Sequence, residues 1–328
     1  MSSLAKSNLR GALLALTAFA LFAAHDVVVK ALGASYAPFQ IIFFSVLFSF
    51  PISTLMLMRD PLSGHLRPVH PWWTALRTLA GVATGFSAFY AFSVLPLAQT
   101  YAILFATPLL ITVLSIPVLG ENVGVHRWAA VVLGAIGVLV VLRPGSEPLS
   151  LGHLAAVTAA LGSATTGVVV RKIGRDERSA VLMLYPMMAN FAVMAVVLPL
   201  VYRPMPLIDL GGIAVIAVFS FAAGLLVIAA YRAADAAVVA PMQYSQILWA
   251  SFYGIVLFDE VPDRMTILGA GIVIVSGLYI VLRESIRGNS ANTPVLATRQ
   301  RHDTATTPRP ASLRGLPGRH RRPLQNPR

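Results

Sequence analysis

Residues 11–30, GALLALTAFALFAAHDVVVK, run almost without charge for the length a bilayer demands, and nine similar runs follow. A helix rising 1.5 Å per residue needs roughly 20 mostly apolar residues to cross the hydrocarbon. The ten runs fall at about 11–30, 38–58, 73–93, 97–119, 127–142, 152–170, 180–201, 208–230, 236–258 and 265–282. The breaks between them are short and carry turn or charge signals, as in RDPLSGHLRPVH (59–70) and RPGSEPLS (143–150). No water is present in the hydrocarbon to satisfy backbone groups, so such runs must be helices. The fold class expected is an all-α polytopic membrane protein with ten transmembrane helices.

Only 12% of the 328 residues are charged, about half the share of a soluble domain. Ten of the 25 Lys and Arg lie from Arg283 onward, so the net charge of +12 describes the C-terminus more than the body. Residues 284–328 hold six prolines and little that could form a core, and are expected to be a disordered basic cytoplasmic tail. Such a tail suits anionic lipid; no specific nucleic-acid partner is expected. The absence of cysteine excludes disulfides, thiol catalysis and thiolate metal sites. The first run continues through HDVVVK without a small-x-small site, which argues against a cleaved leader.

Laid over GHLAAVTAALGSATTGVVVR (152–171), the first run is identical at nine of twenty positions, at an offset of 141. Tyr90 and Tyr231 share that offset, Glu121 and Glu260 differ by 139, and VLVVLR (138–143) and LYIVLR (278–283) by 140. The chain is therefore read as two copies of one unit, 1–145 and 146–283, each with five crossings. Five is odd, so the second copy enters the membrane from the opposite side, as in many secondary transporters. Loop Lys and Arg divide ten against four in favour of cytoplasmic termini.

These features resemble the drug/metabolite transporter superfamily, in its ten-helix form with two EamA-type repeats. The resemblance spans about residues 8–284. It is carried by FYAFSVLPLAQTYAILFATPLL (89–110), Gly120-Glu121 and Val141-Leu142-Arg143-Pro144, and by APMQYSQILWASFYGIVLFDE (240–260). It implies an inner-membrane carrier of small metabolites whose cavity lies between the halves, lined by helices 3, 4, 8 and 9. The chain departs from the pattern at Ser45, where many relatives carry Arg, and at Phe258-Asp259, where Gly commonly precedes the Glu.

Asp26 is the most informative ionisable residue, because an ionised carboxylate in a span costs several kcal/mol unless paired or wetted. Lys30 lies one turn on and could pair with it; alternatively Asp26 binds a proton or a cationic substrate. The second copy has Gly167 at the position of Asp26, so the fold does not require the acid. Tyr90 and Tyr231 suit either an interface or the cavity. Gln99, Tyr101, Gln243, Tyr244 and Trp249 are further cavity candidates, with Gln243 and Gln246 on one helical side. Pro108 and Pro241 lack an amide hydrogen and should bend or break helices 4 and 9, as gating elements or static kinks. Glu121 and Glu260 are read as turn acids that accept orphan backbone N–H groups at helix starts. Arg77 is expected to snorkel to the inner interface or meet a lipid phosphate; attraction of an anion at the cavity mouth is the alternative. Gly81 and Gly85 form a GxxxG candidate contact, and GAG at 269–271 reads as packing.

There is no HExxH, Walker loop, GxSxG or Rossmann fingerprint, so no metal, cofactor or catalytic residue is expected. The function this favours is secondary transport of a small metabolite, an amino acid, nucleoside-like compound or similar, with a coupling proton as an option. A membrane-anchored interaction protein using its basic tail and a membrane-embedded enzyme are the alternatives. Cargo, direction and oligomeric state are not encoded in any motif.

Overall fold

A computed structural model describes residues 3–58, 66–121, 123–144, 149–174, 176–234 and 236–286. Twelve helices form among them: α1 Ser3–Gly33, α2 Pro38–Met58, α3 Pro71–Val94, α4 Leu97–Leu104, α5 Thr107–Leu119, α6 Val125–Leu142, α7 Leu151–Ile173, α8 Ser179–Val201, α9 Leu207–Ala233, α10 Ala236–Met242, α11 Ser245–Phe258 and α12 Arg264–Ile286. The ten apolar runs account for all twelve, because the fourth and ninth are each broken in two, at 105–106 and 243–244. Seven stretches are long and apolar enough to cross a membrane by themselves: α1, α4 with α5, α6, α7, α8, α9 and α12. The other crossings are α2, apolar over Pro38–Pro51, the polar-dotted α3, and the interrupted α10–α11. The chain is an all-helical integral membrane protein of ten crossings. The expected tail lies outside the described residues, apart from 284–286, whose backbone continues α12.

With ten crossings, α1 starts and α12 ends on the same face, here the terminal face; the opposite one is the distal face. The two copies are related by exchange. The α1–α9 interface has its mate in α7–α3, α5–α7 in α11–α1, and α2–α9 in α8–α3, while α2–α8 and α6–α12 map onto themselves. The broadest helix contacts all run between the copies, which are interleaved units of sequence.

Small residues permit this interleaving, since helices in lipid associate by close van der Waals approach. A Cβ on Gly11 would stand 2.3 Å from Ala234 Cβ, and one on the equivalent Gly152 2.6 Å from Val94 Cγ2. Each copy's first helix thus starts against the end of a helix from the other copy. The duplication reaches individual hydrogen bonds. Thr17 Oγ1 donates to Leu13 O and Thr158 Oγ1 to Leu154 O, at 3.0 and 2.8 Å. The helix ends after crossings 4 and 9 share a left-handed cap, with Gly120 at φ 69° and Asp259 at φ 55°. In each the next amide reaches back six residues, Glu121 N to Ser115 O and Glu260 N to Gly254 O. Asp tolerates this conformation better than most side-chain-bearing residues, which explains how the second copy holds the turn without glycine.

Candidate functional site

The middle of the bundle is built around α4, which is buried along almost its whole length. Its break follows from Pro108, which supplies no N–H to the carbonyl four residues back. That carbonyl, Leu104 O, accepts from Thr107 Oγ1 at 2.7 Å instead. The break in crossing 9 follows Pro241 by two residues. Phe105 and Tyr244, equivalent at an offset of 139, sit at the two breaks with ring centroids 5.1 Å apart. The broken segments therefore meet at the axis relating the halves.

Beside this contact lies the carboxylate of Asp26, in α1 and 2% exposed. Tyr101 O–H donates to its Oδ2, and its Oδ1 is 2.7 Å from His25 Nδ1. Tyr101 in turn accepts from Gln246 Nε2 at 3.2 Å. One hydroxyl on α4 thus joins α1 of the first copy to α11 of the second. The edge of His25 meets Phe89, while Phe92 and Phe105 flank Tyr101. Such a centre, a carboxylate with hydrogen-bond donors inside an aromatic wall, is suited to a cationic or ring-bearing solute.

The other sequence candidates are distributed around it. Gln99 lies towards the distal face, in a small cavity lined with Pro96, Ala250, Gly254, Glu260 and Thr266. Its amide is 3.1 Å from His153 Nε2. Ser150 N donates to His153 Nδ1 at 3.1 Å, and Ser150 Oγ lies 2.9 Å from the same ring nitrogen. Tyr90 continues an aromatic ladder from Phe39 and Phe86. Tyr231 packs near the terminal face beside Phe19, Phe22 and Val239, away from the centre. Gln243 is in the turn at the second break, so the shared helical side expected for Gln243 and Gln246 does not form, and it is Gln246 that reaches Tyr101. Tyr244 Oη and Trp249 Nε1 are buried without a hydrogen-bond partner among the described residues, and Tyr244 presses on Gly277 of α12.

Two further expectations are corrected. The Asp26–Lys30 pair does not form, because Lys30 Nζ is 2.7 Å from Glu260 Oε1 and also donates to Leu95 O at 2.7 Å. Arg77 does not snorkel; it is buried, 2% exposed. His25 and Phe105 had no spacing or charge pattern to single them out, and each acquires its place only through neighbours remote in sequence. Glu260 accepts a helix-start amide, but that of Leu97 in α4, at 3.1 Å. Glu121 pairs with Arg171. Among the described residues no cluster of His, Asp and Glu could hold a metal.

The EamA-like transporter family matches the chain twice, over residues 9–143 and 150–283. An S-adenosylmethionine uptake transporter of Rickettsia bellii is 27% identical over 271 residues, 80% of this chain and 89% of that protein. A riboflavin transporter of Rhizobium johnstonii is 27% identical over 251 residues, 74% and 80% of the two chains. A pseudopaline exporter of Pseudomonas aeruginosa is 25% identical over 276 residues, 81% and 94%. A solved structure superposes with a TM-score of 0.55 at 19% identity, covering 88% of this chain and all of that one; at that identity it speaks to the fold.

Proposed function

Because the chain belongs to the EamA-like transporter family and is a membrane carrier of small metabolites, we propose that the centre formed by Asp26, Tyr101 and Gln246 holds the solute during its passage. The observation that carries this reading is the buried Asp26 carboxylate at the junction of the two broken helices. A carboxylate there is costly to keep, and Gly167 at the equivalent place implies that packing does not demand it. The substrate is a small metabolite with a cationic centre and a planar or hydrogen-bonding portion. The cation faces Asp26, the flat part lies against Phe89, Phe92, Phe105 and Tyr244, and the donors and acceptors of α11 orient it. S-adenosylmethionine, the solute named for one of the relatives, carries a cationic centre and a planar ring system of this kind.

Transport proceeds by alternating access, the two copies rocking about the Phe105–Tyr244 contact. Asp26 with His25 takes a proton when the cation leaves, so proton and solute compete for one carboxylate. Both termini face the cytoplasm, by the ten-to-four division of loop Lys and Arg. The repeats divide at about residue 145, and the basic tail engages anionic lipid without taking part in passage.

Proteoliposomes containing the full chain test this with S-adenosylmethionine and riboflavin as probe solutes. Saturable counterflow of a cationic probe is expected. Asp26→Asn should lower it by tenfold or more, because a lost buried charge contact is worth upwards of about 1.4 kcal/mol, and should flatten its pH dependence. Unchanged KM and pH profile in that variant would remove Asp26 from the site.

A further inference from the structure

The equivalent basic residues Lys30 and Arg171 each end the first helix of one copy, and each meets the turn acid of the other copy. Lys30, in the first copy, pairs with Glu260 beyond α11; Arg171, in the second, pairs with Glu121 beyond α5. The pairs lie at opposite faces because the copies are inverted. From this geometry, and resting on the alternating-access reading above, we infer that the two ion pairs are latches broken in alternation, Lys30–Glu260 closing the distal face and Arg171–Glu121 the terminal face, with the terminal latch the weaker.

Each latch spans what would have to part. At the distal face, Lys30 Nζ binds both Glu260 Oε1 and Leu95 O, at 2.7 Å each. Glu260 Oε2 takes the amide of Leu97 at 3.1 Å. Four groups thus tie α1, the α3–α4 turn and the α11–α12 turn together. The side chains are only 10% and 22% exposed, so water screens them weakly. The cavity containing Gln99 opens beside Glu260, where a solute entering from the distal side would meet this pair.

The terminal latch divides the same work between two residues. Arg171 holds Glu121, and Lys172 donates to Val118 O at 2.6 Å while lying over the Trp73 ring. Glu121 Oε2 and Arg171 Nη1 are buried with no hydrogen-bond partner among the described residues. A buried charge with unmet hydrogen bonds is a poorer contact than one fully satisfied. The packing agrees: α4 sits broadly against α11 and α12, whereas its equivalent α10 makes far less contact with α5 and α6. The protein therefore opens more readily towards the face bearing its termini.

The native chain has no cysteine, so single cysteines report access. Ala98→Cys lines the distal cavity, and Ala240→Cys stands in α10 on the terminal side. In the purified full chain, a membrane-impermeant maleimide should label Ala240→Cys faster than Ala98→Cys. Adding Glu260→Gln should raise the Ala98→Cys rate and lower the other, shifting their ratio by about tenfold, and Glu121→Gln should shift it the opposite way. Lys30→Gln should reproduce Glu260→Gln, and the double variant should shift the ratio no further than either alone, the mark of a coupled pair. Rates that rise together, that do not change, or that add in the double variant would overturn the latches; faster parent labelling of Ala98→Cys would overturn their inequality. Labelling needs no cargo, so a reciprocal shift persisting where Asp26→Asn leaves flux intact would reject the proposed solute site alone.

Discussion

The α6–α12 crossing offers a sharp test of how these copies are held together. Gly137 and Gly269 face each other there. A Cβ on Gly269 would lie 2.6 Å from Gly137 O and 2.5 Å from Val141 Cγ2, while one on Gly271 meets nothing within 4 Å. A carbon ordinarily approaches a carbonyl oxygen no closer than about 3.3 Å, so Gly269→Ala must move the helices apart by roughly 0.7 Å. A gap of that size forfeits about a quarter to a half of the dispersion energy along the contact, and overpacking of this kind costs about 1–3 kcal/mol. Gly271→Ala adds a methyl group towards lipid and gains up to about 1 kcal/mol of helix propensity. The two variants, identical in chemistry and two residues apart, should therefore differ by roughly 1–4 kcal/mol. Unfolding of the detergent-solubilised protein by heat or by titration with SDS reads the difference. Adding Gly137→Ala to Gly269→Ala should cost less than the sum, because the helices are already separated. Equal stability of the two single variants would refute the close crossing.

Tyr101→Phe keeps the aromatic wall but removes the hydroxyl shared by Asp26 and Gln246; transport should weaken by about 1–3 kcal/mol in kcat/KM while the fold is retained, and an unchanged rate would argue against that bridge. Asp263 caps α12 by accepting from the amides of Met265 and Thr266 at 2.8 Å each, and Asp263→Ala should cost about 1 kcal/mol in the same unfolding assay. Burial raises the pKa of Asp263, but hydrogen bonds from Thr266 and the Arg143 guanidinium outweigh it and hold it below the ordinary 3.8. A depressed carboxylate stabilises the fold above its unfolded pKa, so this contribution should be complete at neutral pH and disappear as pH falls from about 3.8 downward; a variant equally destabilised at pH 7 and at pH 3 would contradict it. A cysteine at exposed Gly124 should label from the cytoplasmic side of oriented vesicles and one at Val261 from the other; labelling from one side only would contradict the inversion.

Periodicity and repetition made the fold legible. Apolar length marks the crossings, and shared offsets align Thr17 with Thr158 and Glu121 with Glu260. Asp26 was conspicuous because charge in hydrocarbon is expensive. The partners were harder to read. An i,i+4 spacing favours Asp26–Lys30 in an isolated helix by a few tenths of a kcal/mol, yet Glu260 together with the Leu95 carbonyl gives Lys30 more to bind, and those groups arrive from elsewhere in the chain. The helix breaks were readable only in part. Pro108 announces a lost hydrogen bond, but that the interruption falls at 105–106 depends on Thr107 rescuing Leu104 O. In GVATG a Cβ on Gly81 would meet Pro186 Cβ at an ordinary 3.6 Å, while Thr84 of the same stretch packs hard against Gly162 of α7. The close crossing of α6 and α12 depends on Gly137 and Gly269, which no short motif joins.

That α1 packs most broadly against α9 and α3 against α7 bears on how such a molecule is made. While the first five crossings leave the ribosome, the surfaces they will bury have no counterpart in the bilayer, and Tyr101 must wait for Gln246 to be synthesised. A solitary copy would have to find a twin inserted upside down. Joining both on one polypeptide turns that chance encounter into an event within a single chain, and fixes one member of each orientation in every molecule.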